Sequence, residues 1–343
     1  MRLPLAARAR LALPVIALVA VLAACAPEPV AAPSPSATPH PTVVPAAVVS
    51  HGPVPTVTPT AVPSPEPTLD ECAEGSLLAI WAHYDDDLIF GHSRVTEALE
   101  QGWCVTVAYL SAGDAGKGVD YSLGREKGIR DAYDRLRGYD GQWSERTDIL
   151  NTGVTVEEWR PASDPRLLLL SFRLVDGNLD GSGFESMGYE SLAKLAAGQI
   201  PTVRDVDGPE ELTMDQITHS LVEVIGDANP SAVLTGMPAE AGDLSSSDHS
   251  DHRTVASFAR ASWTSAGIDP ALVVYAIGYQ TADYDVNVQG DELARKVDVF
   301  SAYAVNDSVT AQCVDLNSCL GLRFFGPLLQ REYAQYAVDV PLP

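Results

Sequence analysis

Short apolar runs alternate with segments of helical periodicity along residues 76–305, and this alternation limits the fold more than any other feature. The apolar runs suit strands that are buried on both faces of a sheet, and the predicted strands are 76–81, 105–110, 167–172, 231–235 and 272–277. The segments between them predict helices at 88–102, 125–136, 214–225, 252–266 and 291–305. Strands that alternate with helices favour an α/β fold with a mainly parallel sheet and helices on both faces.

Residues 1–25 have the features of an export signal. Three arginines lie among the first ten residues, and an apolar stretch too short to span a bilayer follows. The stretch ends in Leu-Ala-Ala-Cys25, which resembles the lipobox of bacterial lipoproteins. We therefore expect Cys25 to carry a lipid that anchors the exported protein to the outer face of the cytoplasmic membrane. The alternative is an ordinary secretory signal that is cut at a small residue.

Residues 26–69 have the composition of a linker. They contain 13 of the 25 prolines and only two charged residues. A segment of this kind cannot build a core, and its prolines favour extended polyproline II. We interpret it as a disordered tether between the anchor and a folded domain that covers residues 70–343.

The folded domain is acidic and has an even number of cysteines. The chain has 46 acidic and 22 basic residues, a net charge of −24, and only five of these charged residues precede residue 70. Such a surface repels nucleic acid and anionic membranes, so we expect no nucleic-acid partner and membrane contact only through the lipid. Four cysteines in an exported domain indicate disulfides. Of the three pairings, we expect Cys72–Cys104, across neighbouring strands, and Cys313–Cys319, around a short loop.

A cluster of histidine and aspartate residues follows the first predicted strand. It reads His83-Tyr84-Asp85-Asp86-Asp87, and a tight turn into a helix can aim His83 and Asp86 at one point. A neutral imidazole and a carboxylate are suitable zinc ligands. Asp85 could stand beside the metal and take a proton from the attacking water. Taken alone, the aspartates could instead cap the next helix.

A second cluster follows the fourth predicted strand and reads Asp248-His249-Ser250-Asp251-His252. Because the carboxyl ends of parallel strands lie on one rim of the sheet, we expect both clusters to meet there. His252 would then supply a third ligand. Three ligands and one open position describe a catalytic rather than a structural zinc site. Polar capping of the following helix is the alternative for His249 and His252.

The two clusters together resemble the PIG-L/LmbE-like zinc N-deacetylase family. Residues 83–87 resemble its A-H-P-D-D-E motif, and residues 249–252 resemble its H-x-D-H motif. Residues 109–116 and Arg125-Glu126 resemble the family's Gly-Asp/Glu-Ala-Gly loop and the start of its next helix. The resemblance spans roughly residues 76–305 in the family's order. It implies a Rossmann-like, LmbE-like sheet and a metal-dependent hydrolase that removes an N-acetyl group from an amino sugar.

The resemblance also implies a role for each site residue. The metal would be Zn²⁺, with Fe²⁺ as another candidate, and its ligands would be His83, Asp86 and His252. The catalytic and substrate-binding side chains would be Asp85 as general base, His249 as oxyanion support if protonated, Asp251 as the residue that orients a histidine, and Arg125 as a substrate contact.

Two positions depart from the family's pattern. Tyr84 replaces proline, and the loss of a ring that restricts the backbone could loosen the turn. Asp87 replaces glutamate. Neither change removes a ligand or the base.

The expected substrate is an N-acetylglucosamine-type glycan or glycoconjugate. One alternative is a zinc amidase that acts on another amide conjugate, and another is a non-catalytic glycan-binding module on the same fold. The presence of Asp85 argues against the second alternative, because binding alone needs no base.

Overall fold

The computed structural model describes residues 71–342, so the predicted signal sequence with Cys25 and the predicted linker lie outside the described residues. In this range the chain forms ten strands, which are β1 (Ser76–Trp81), β2 (Cys104–Ser111), β3 (Trp143–Ile149), β4 (Thr155–Pro161), β5 (Leu167–Leu174), β6 (Val203–Arg204), β7 (Glu211–Leu212), β8 (Ala232–Gly236), β9 (Val273–Ala276) and β10 (Ala334–Tyr336). The same residues form nine α-helices, which are α1 (Asp86–Phe90), α2 (His92–Glu100), α3 (Val119–Arg137), α4 (Leu192–Ala196), α5 (Met214–Ala228), α6 (Ser250–Ser265), α7 (Gly290–Ala304), α8 (Leu316–Leu320) and α9 (Phe325–Leu329). No helix among these described residues is both long and apolar enough to cross a membrane.

Eight of the strands form one sheet, in the order β10-β9-β8-β1-β2-β5-β4-β3. The five central strands, from β9 to β5, are parallel to one another. Antiparallel pairing occurs only towards the two edges of this sheet, where β10 joins β9 and the hairpin of β3 and β4 joins β5. The mainly parallel sheet predicted from the alternation of strands and helices is confirmed.

Helices cover both faces of the sheet. Along β1, Leu77, Ala79 and Trp81 belong to one buried cluster, which also includes residues of α1, α2, α3 and α7. Leu78 and Ile80 belong to the other cluster, together with residues of α5 and α6. Alternate side chains of a strand point to opposite faces, so a strand between two helix layers is apolar at every position. This explains why the central strands could be recognised as continuous apolar runs.

The predicted helix at 88–102 is two helices, because the chain breaks at Gly91 between α1 and α2. A Cβ at Gly91 would lie 2.9 Å from Trp81 Cζ2 and 3.0 Å from Leu234 Cδ2. The backbone therefore approaches the sheet closely at this position, and only glycine fits there. The break leaves α1 as a single short helix that directly follows the turn after β1.

The hairpin of β3 and β4 is absent from the strands predicted from sequence. Its strands are rich in charged residues and lie at the sheet edge, where only one face has to be apolar. Trp159 on β4 is buried in the core, and Trp143 on β3 donates its indole N–H to Asp134 Oδ1 at 2.9 Å. Both tryptophans are thus part of the packing of this edge.

Both predicted disulfides are present. Cys72–Cys104 joins the segment before β1 to the start of β2, and Cys313–Cys319 closes a loop that follows α7. Both cysteines of the second pair are fully buried. The segment between α7 and α8 is therefore fixed to the fold.

Candidate active site

The turn after β1 carries the first cluster. The chain turns through residues 82–85 before α1 begins at Asp86. Asp86 Oδ2 accepts hydrogen bonds from the backbone N–H groups of Ala82 at 3.1 Å and His83 at 2.8 Å. Hydrogen bonds to an ionised carboxylate are strong, so they hold this side chain in one orientation. The other oxygen, Oδ1, is left to face the second cluster.

The second cluster lies on the same rim of the sheet. β8 pairs with β1 in parallel, so the carboxyl ends of the two strands are neighbours. After β8 a short 3₁₀ segment, Ala239–Leu244, leads to His249, which is the N-cap of α6. Asp251 and His252 occupy the first turn of α6, and both are buried. The sheet order thus brings residues about 165 positions apart in the chain to one point.

Donor atoms of three residues lie close together between the clusters. His83 Nδ1 lies 3.1 Å from His252 Nε2, and Asp86 Oδ1 lies 3.0 Å from the same nitrogen. Asp86 Oδ2 is 3.8 Å from His83 Nδ1. Two ligands at about 2.1 Å from a tetrahedral ion are about 3.4 Å apart, and the two spacings at His252 Nε2 are close to this value, whereas the third is measured to the other oxygen of Asp86. His83, His249 and His252 also form a group whose ligand atoms all lie within 4.8 Å of one another.

The surroundings of the two facing imidazoles favour positive charge. Burial lowers the pKa of His252, but Asp86 and Asp248 outweigh it and hold this pKa well above its usual value. Burial likewise lowers the pKa of His83, but Asp251 and Asp86 raise it to about 10. The same carboxylates that raise these two pKa values would also attract a divalent cation to the buried site.

Asp248 determines which nitrogen of His252 faces the centre. Asp248 Oδ1 lies 2.9 Å from His252 Nδ1, and it also accepts the backbone N–H groups of His249 at 2.9 Å and Tyr279 at 3.1 Å. A proton on Nδ1 is shared with this carboxylate, which leaves the lone pair of Nε2 for a metal. A Cβ at Gly278 would clash with the Asp248 carboxylate, so glycine is required there. Asp248 was part of the cluster seen in the sequence, four residues before His252, but no role was predicted for it.

The backbone of α6 determines the tautomer of His249. His249 Nδ1 accepts the N–H of Asp251 at 3.1 Å, so a neutral ring carries its proton on Nε2. Burial lowers the pKa of His249 to about 3, and the neighbouring His83 acts in the same direction. Both effects favour the neutral ring, whose Nε2–H is a hydrogen-bond donor. Its ring lies edge-on to His83, with centroids 4.7 Å apart.

Two carboxylates lie near His83 Nε2, the ring nitrogen that does not face His252. Asp251 Oδ2 accepts the N–H of Gly177 at 2.8 Å and lies 3.5 Å from His83 Nε2. Asp176 Oδ2 lies 3.8 Å from the same nitrogen, and its Oδ1 lies 4.0 Å from His249 Nε2. Asp176 was missed from the sequence, because it follows β5 and no histidine stands near it in the chain.

Asp85 and Arg125 form a buried ion pair. Arg125 Nη2 lies 2.5 Å from Asp85 Oδ1, Nη1 donates to the carbonyl of Gly113 at 2.7 Å, and Nε donates to Tyr303 Oη at 2.5 Å. Burial raises the pKa of Asp85, and the Arg125 guanidinium opposes this shift. Arg125 thus contacts the carboxylate expected to be the base, and three of its donors are used within the protein.

Aromatic rings border the centre. The Tyr279 ring packs edge-on against His252, with centroids 4.9 Å apart, and against Phe324, with centroids 4.7 Å apart. Phe324 is 47% exposed. The two rings form an aromatic edge that leads from a candidate ligand to solvent.

Comparisons with known proteins found a family and several similar solved structures. Residues 78–263 match the family model described as PIG-L: GlcNAc-PI de-N-acetylase, and no curated protein matches the chain. Among solved structures, the zinc-inhibited form of teicoplanin deacetylase Orf2 is 16% identical with a TM-score of 0.43, and the match covers 73% of this chain and 89% of that one. The A40926 pseudoaglycone deacetylase Dbv21 is 16% identical with a TM-score of 0.41, over 72% and 90% of the two chains. The conserved protein TT1542 from Thermus thermophilus is 16% identical with a TM-score of 0.39, over 76% and 93%.

The fold and the centre define a class of α/β protein, with a mainly parallel sheet and a His/Asp centre that could hold a metal ion at the carboxyl ends of its strands. The family model covers more than half of the chain. The chain therefore belongs to the PIG-L family, and it is a deacetylase, a hydrolase that cleaves an amide C–N bond.

Proposed function

We propose that the protein is a zinc-dependent N-deacetylase that removes the acetyl group from an amino sugar of a glycan or glycoconjugate at the cell surface. The observation that carries this proposal is that His252 Nε2 lies 3.1 Å from His83 Nδ1 and 3.0 Å from Asp86 Oδ1. Three protein ligands leave one position for the reactants. Nitrogen and oxygen donors suit Zn²⁺, with Fe²⁺ as the other candidate.

In this proposal Asp85 is the general base. When bound, the metal supplies Lewis-acid polarisation of the acetamide carbonyl and lowers the pKa of water. Asp85 accepts the proton of the attacking water as the new C–O bond forms. Because Arg125 contacts Oδ1 of Asp85, we assign this proton to Oδ2.

His249 stabilises the negative charge that develops on the carbonyl oxygen. Its Nε2–H donates to that oxygen, and a donor aimed at the developing charge lowers the barrier. Since Nδ1 accepts a backbone N–H, the neutral ring carries its single proton on Nε2 and does not act as a general acid. Asp85 therefore returns its proton to the departing nitrogen as the C–N bond breaks, and acetate and a free amine result.

Asp251 and Arg125 support these groups. Asp251 orients His83 by facing Nε2 at 3.5 Å, which keeps Nδ1 directed at the metal. Arg125 holds Asp85 in place at 2.5 Å, and from this position it also borders the substrate.

The substrate assignment is supported by the family and by the aromatic edge. The family model is described by a reaction on an N-acetylglucosamine conjugate. Tyr279 packs against His252, and the exposed Phe324 packs against Tyr279. Aromatic rings beside a site can pack on the apolar side of a sugar ring.

The cell-surface location follows from the N-terminal sequence. Lipidation at Cys25 would anchor the protein, and the proline-rich segment would hold the domain away from the membrane. A Cys25→Ala variant, expressed in a lipoprotein-processing bacterium, should move from the membrane fraction to the soluble exported fraction. Equal retention of the variant and the parent in the membrane fraction would count against the anchor.

Acetate release from N,N′-diacetylchitobiose and from acetylated cell-wall fragments tests the reaction. We expect release by the full chain, loss of release with a chelator, and recovery on addition of Zn²⁺. Release of a different acid from another amide, without acetate, would instead indicate an amidase. Binding of the glycans without release of any acid would indicate a non-catalytic module.

A further inference from the structure

Tyr84 stands in the turn between a proposed ligand and the proposed base, and it is fully buried. Its hydroxyl donates to Glu126 Oε1 at 3.0 Å and lies 2.7 Å from Ser171 Oγ. Burying a hydroxyl is favourable only when its hydrogen bonds are made inside the protein. Both partners lie outside the turn, one on α3 and one on β5, so the phenol ties the turn to two other elements.

The acceptor, Glu126, is itself held in place. Arg173 donates to both of its oxygens, from Nε to Oε1 at 2.7 Å and from Nη2 to Oε2 at 2.7 Å. A bidentate arginine–carboxylate pair restricts distance and direction together. The backbone N–H of Arg173 also donates to Ser171 Oγ at 3.2 Å. Tyr84, Glu126, Arg173 and Ser171 therefore form a closed set of hydrogen bonds.

Two consecutive residues of α3 hold two consecutive residues of the turn. Arg125 contacts the carboxylate of Asp85, and Glu126 accepts the hydroxyl proton of Tyr84. Neighbouring side chains on a helix point about 100° apart, so the turn is held from two directions. The Tyr84 ring is also packed edge-on against Tyr109, with centroids 5.1 Å apart. This leaves the turn little freedom to rotate.

We propose that Tyr84, Glu126 and Arg173 form a positioning network that fixes the turn of residues 82–85, so that His83 Nδ1 and the Asp85 carboxylate are oriented before metal and substrate bind. The phenol achieves through hydrogen bonds and packing what a proline in this place would achieve through its fixed φ. The network touches neither substrate nor metal and acts only through its neighbours. This inference rests on the proposed metal centre, but it does not require that the substrate be an amino sugar.

Tyr84→Phe is the test, because it keeps the ring and removes only the hydroxyl. In the full chain, we expect Zn²⁺ affinity, measured by competition with a chromogenic chelator, to fall about tenfold, at the lower end of what outer-shell changes cause. We expect kcat for acetate release to fall by a similar factor with little change in KM. Tyr139→Phe is the matched control, since it removes a hydroxyl that donates to Asp164 at 3.1 Å, away from the centre. It should change neither quantity.

A double-variant cycle tests whether Tyr84 acts through Glu126. If it does, the loss of Zn²⁺ affinity in Tyr84→Phe/Glu126→Gln should be clearly smaller than the product of the two single losses. Zn²⁺ affinity within twofold of the parent in Tyr84→Phe would overturn the network, whatever its stability. Because this readout needs no substrate, weaker Zn²⁺ binding without acetate release from any sugar would support the network and count against the proposed reaction.

Discussion

Replacing Asp85 with asparagine separates the role of a base from that of a metal ligand. The amide has nearly the same size, and its oxygen can still accept a hydrogen bond from Arg125, but it cannot take a proton at neutral pH. Loss of a general base lowers the rate by roughly 10²–10⁴-fold, which is about 3–5 kcal/mol of activation free energy. The donor atoms of the ligands are untouched, so we expect kcat to fall about a thousandfold while Zn²⁺ stays bound.

The same change has a calculable effect on stability. Arg125 keeps the carbonyl of Gly113 at 2.7 Å and the hydroxyl of Tyr303 at 2.5 Å, and Asp307 Oδ2 lies 3.5 Å from its Nε. The guanidinium therefore keeps most of its partners. The substitution should lower the free energy of unfolding by about 2 kcal/mol, because it weakens one charged hydrogen bond. For a domain of this size this corresponds to a decrease in Tm of roughly 5 °C.

The assay measures initial rates of acetate release, bound metal by mass spectrometry after gel filtration, and Tm by calorimetry. Asp164→Asn is the control, because it alters another aspartate–arginine pair with a buried aspartate, which contacts the partly exposed Arg166 at 2.9 Å. It should lower Tm without a large change in kcat. If Asp85→Asn loses its metal together with its activity, Asp85 is a ligand. If it keeps more than a tenth of the parental kcat, Asp85 is not the base.

Three other substitutions test the centre and its support. His252→Ala should lose both bound Zn²⁺ and acetate release, because one of three ligands is removed, and metal analysis after dialysis measures this. Asp248→Asn should weaken Zn²⁺ binding about tenfold in chelator competition, because the charge that orients His252 is lost. Lys296→Met should lower the free energy of unfolding by about 3 kcal/mol in urea, because fully buried Lys296 donates to Glu332 at 2.7 Å and to a carbonyl of α1 at 2.6 Å.

Each of these expectations can fail clearly. An active, metal-replete His252→Ala protein would show that His252 is no ligand. Parental Zn²⁺ affinity in Asp248→Asn would mean that the helix alone orients the imidazole. A Lys296→Met protein as stable as the parent would show that the buried pair with Glu332 gives no net stabilisation.

The parts of the fold that were predicted correctly are those whose signal is local. All five central strands were found because a strand covered by helices on both faces must be apolar throughout. The hairpin of β3 and β4 was missed because its edge strands mix apolar and charged residues. The break at Gly91 was missed because a glycine inside a helical pattern does not by itself predict the end of a helix. Its close contacts with Trp81 and Leu234 are visible only in the structure.

In the candidate site, too, local sequence patterns were predictive and tertiary contacts were not. The two clusters nominated His83, Asp85, Asp86 and His252. The resemblance to the family implied the roles of His249 and Asp251. The orienting contact of Asp248, the proximity of Asp176 and the anchoring of Tyr84 by Glu126 could not be read from the sequence. Each of these contacts depends on how the chain folds around the rim of the sheet.

By itself the sequence determined which segments form the central sheet and which side chains are candidates for the chemistry, because periodicity, motif spacing and side-chain type are properties of neighbouring residues. Only the tertiary structure decided which nitrogen of each histidine faces the centre, what holds Asp85 and how the turn is anchored. These depend on β8 lying beside β1 and on α3 packing next to the turn. The physical reason is that hydrogen bonds depend on distance and direction between groups far apart in the chain, and these are set only when the sheet order and the helix packing are established.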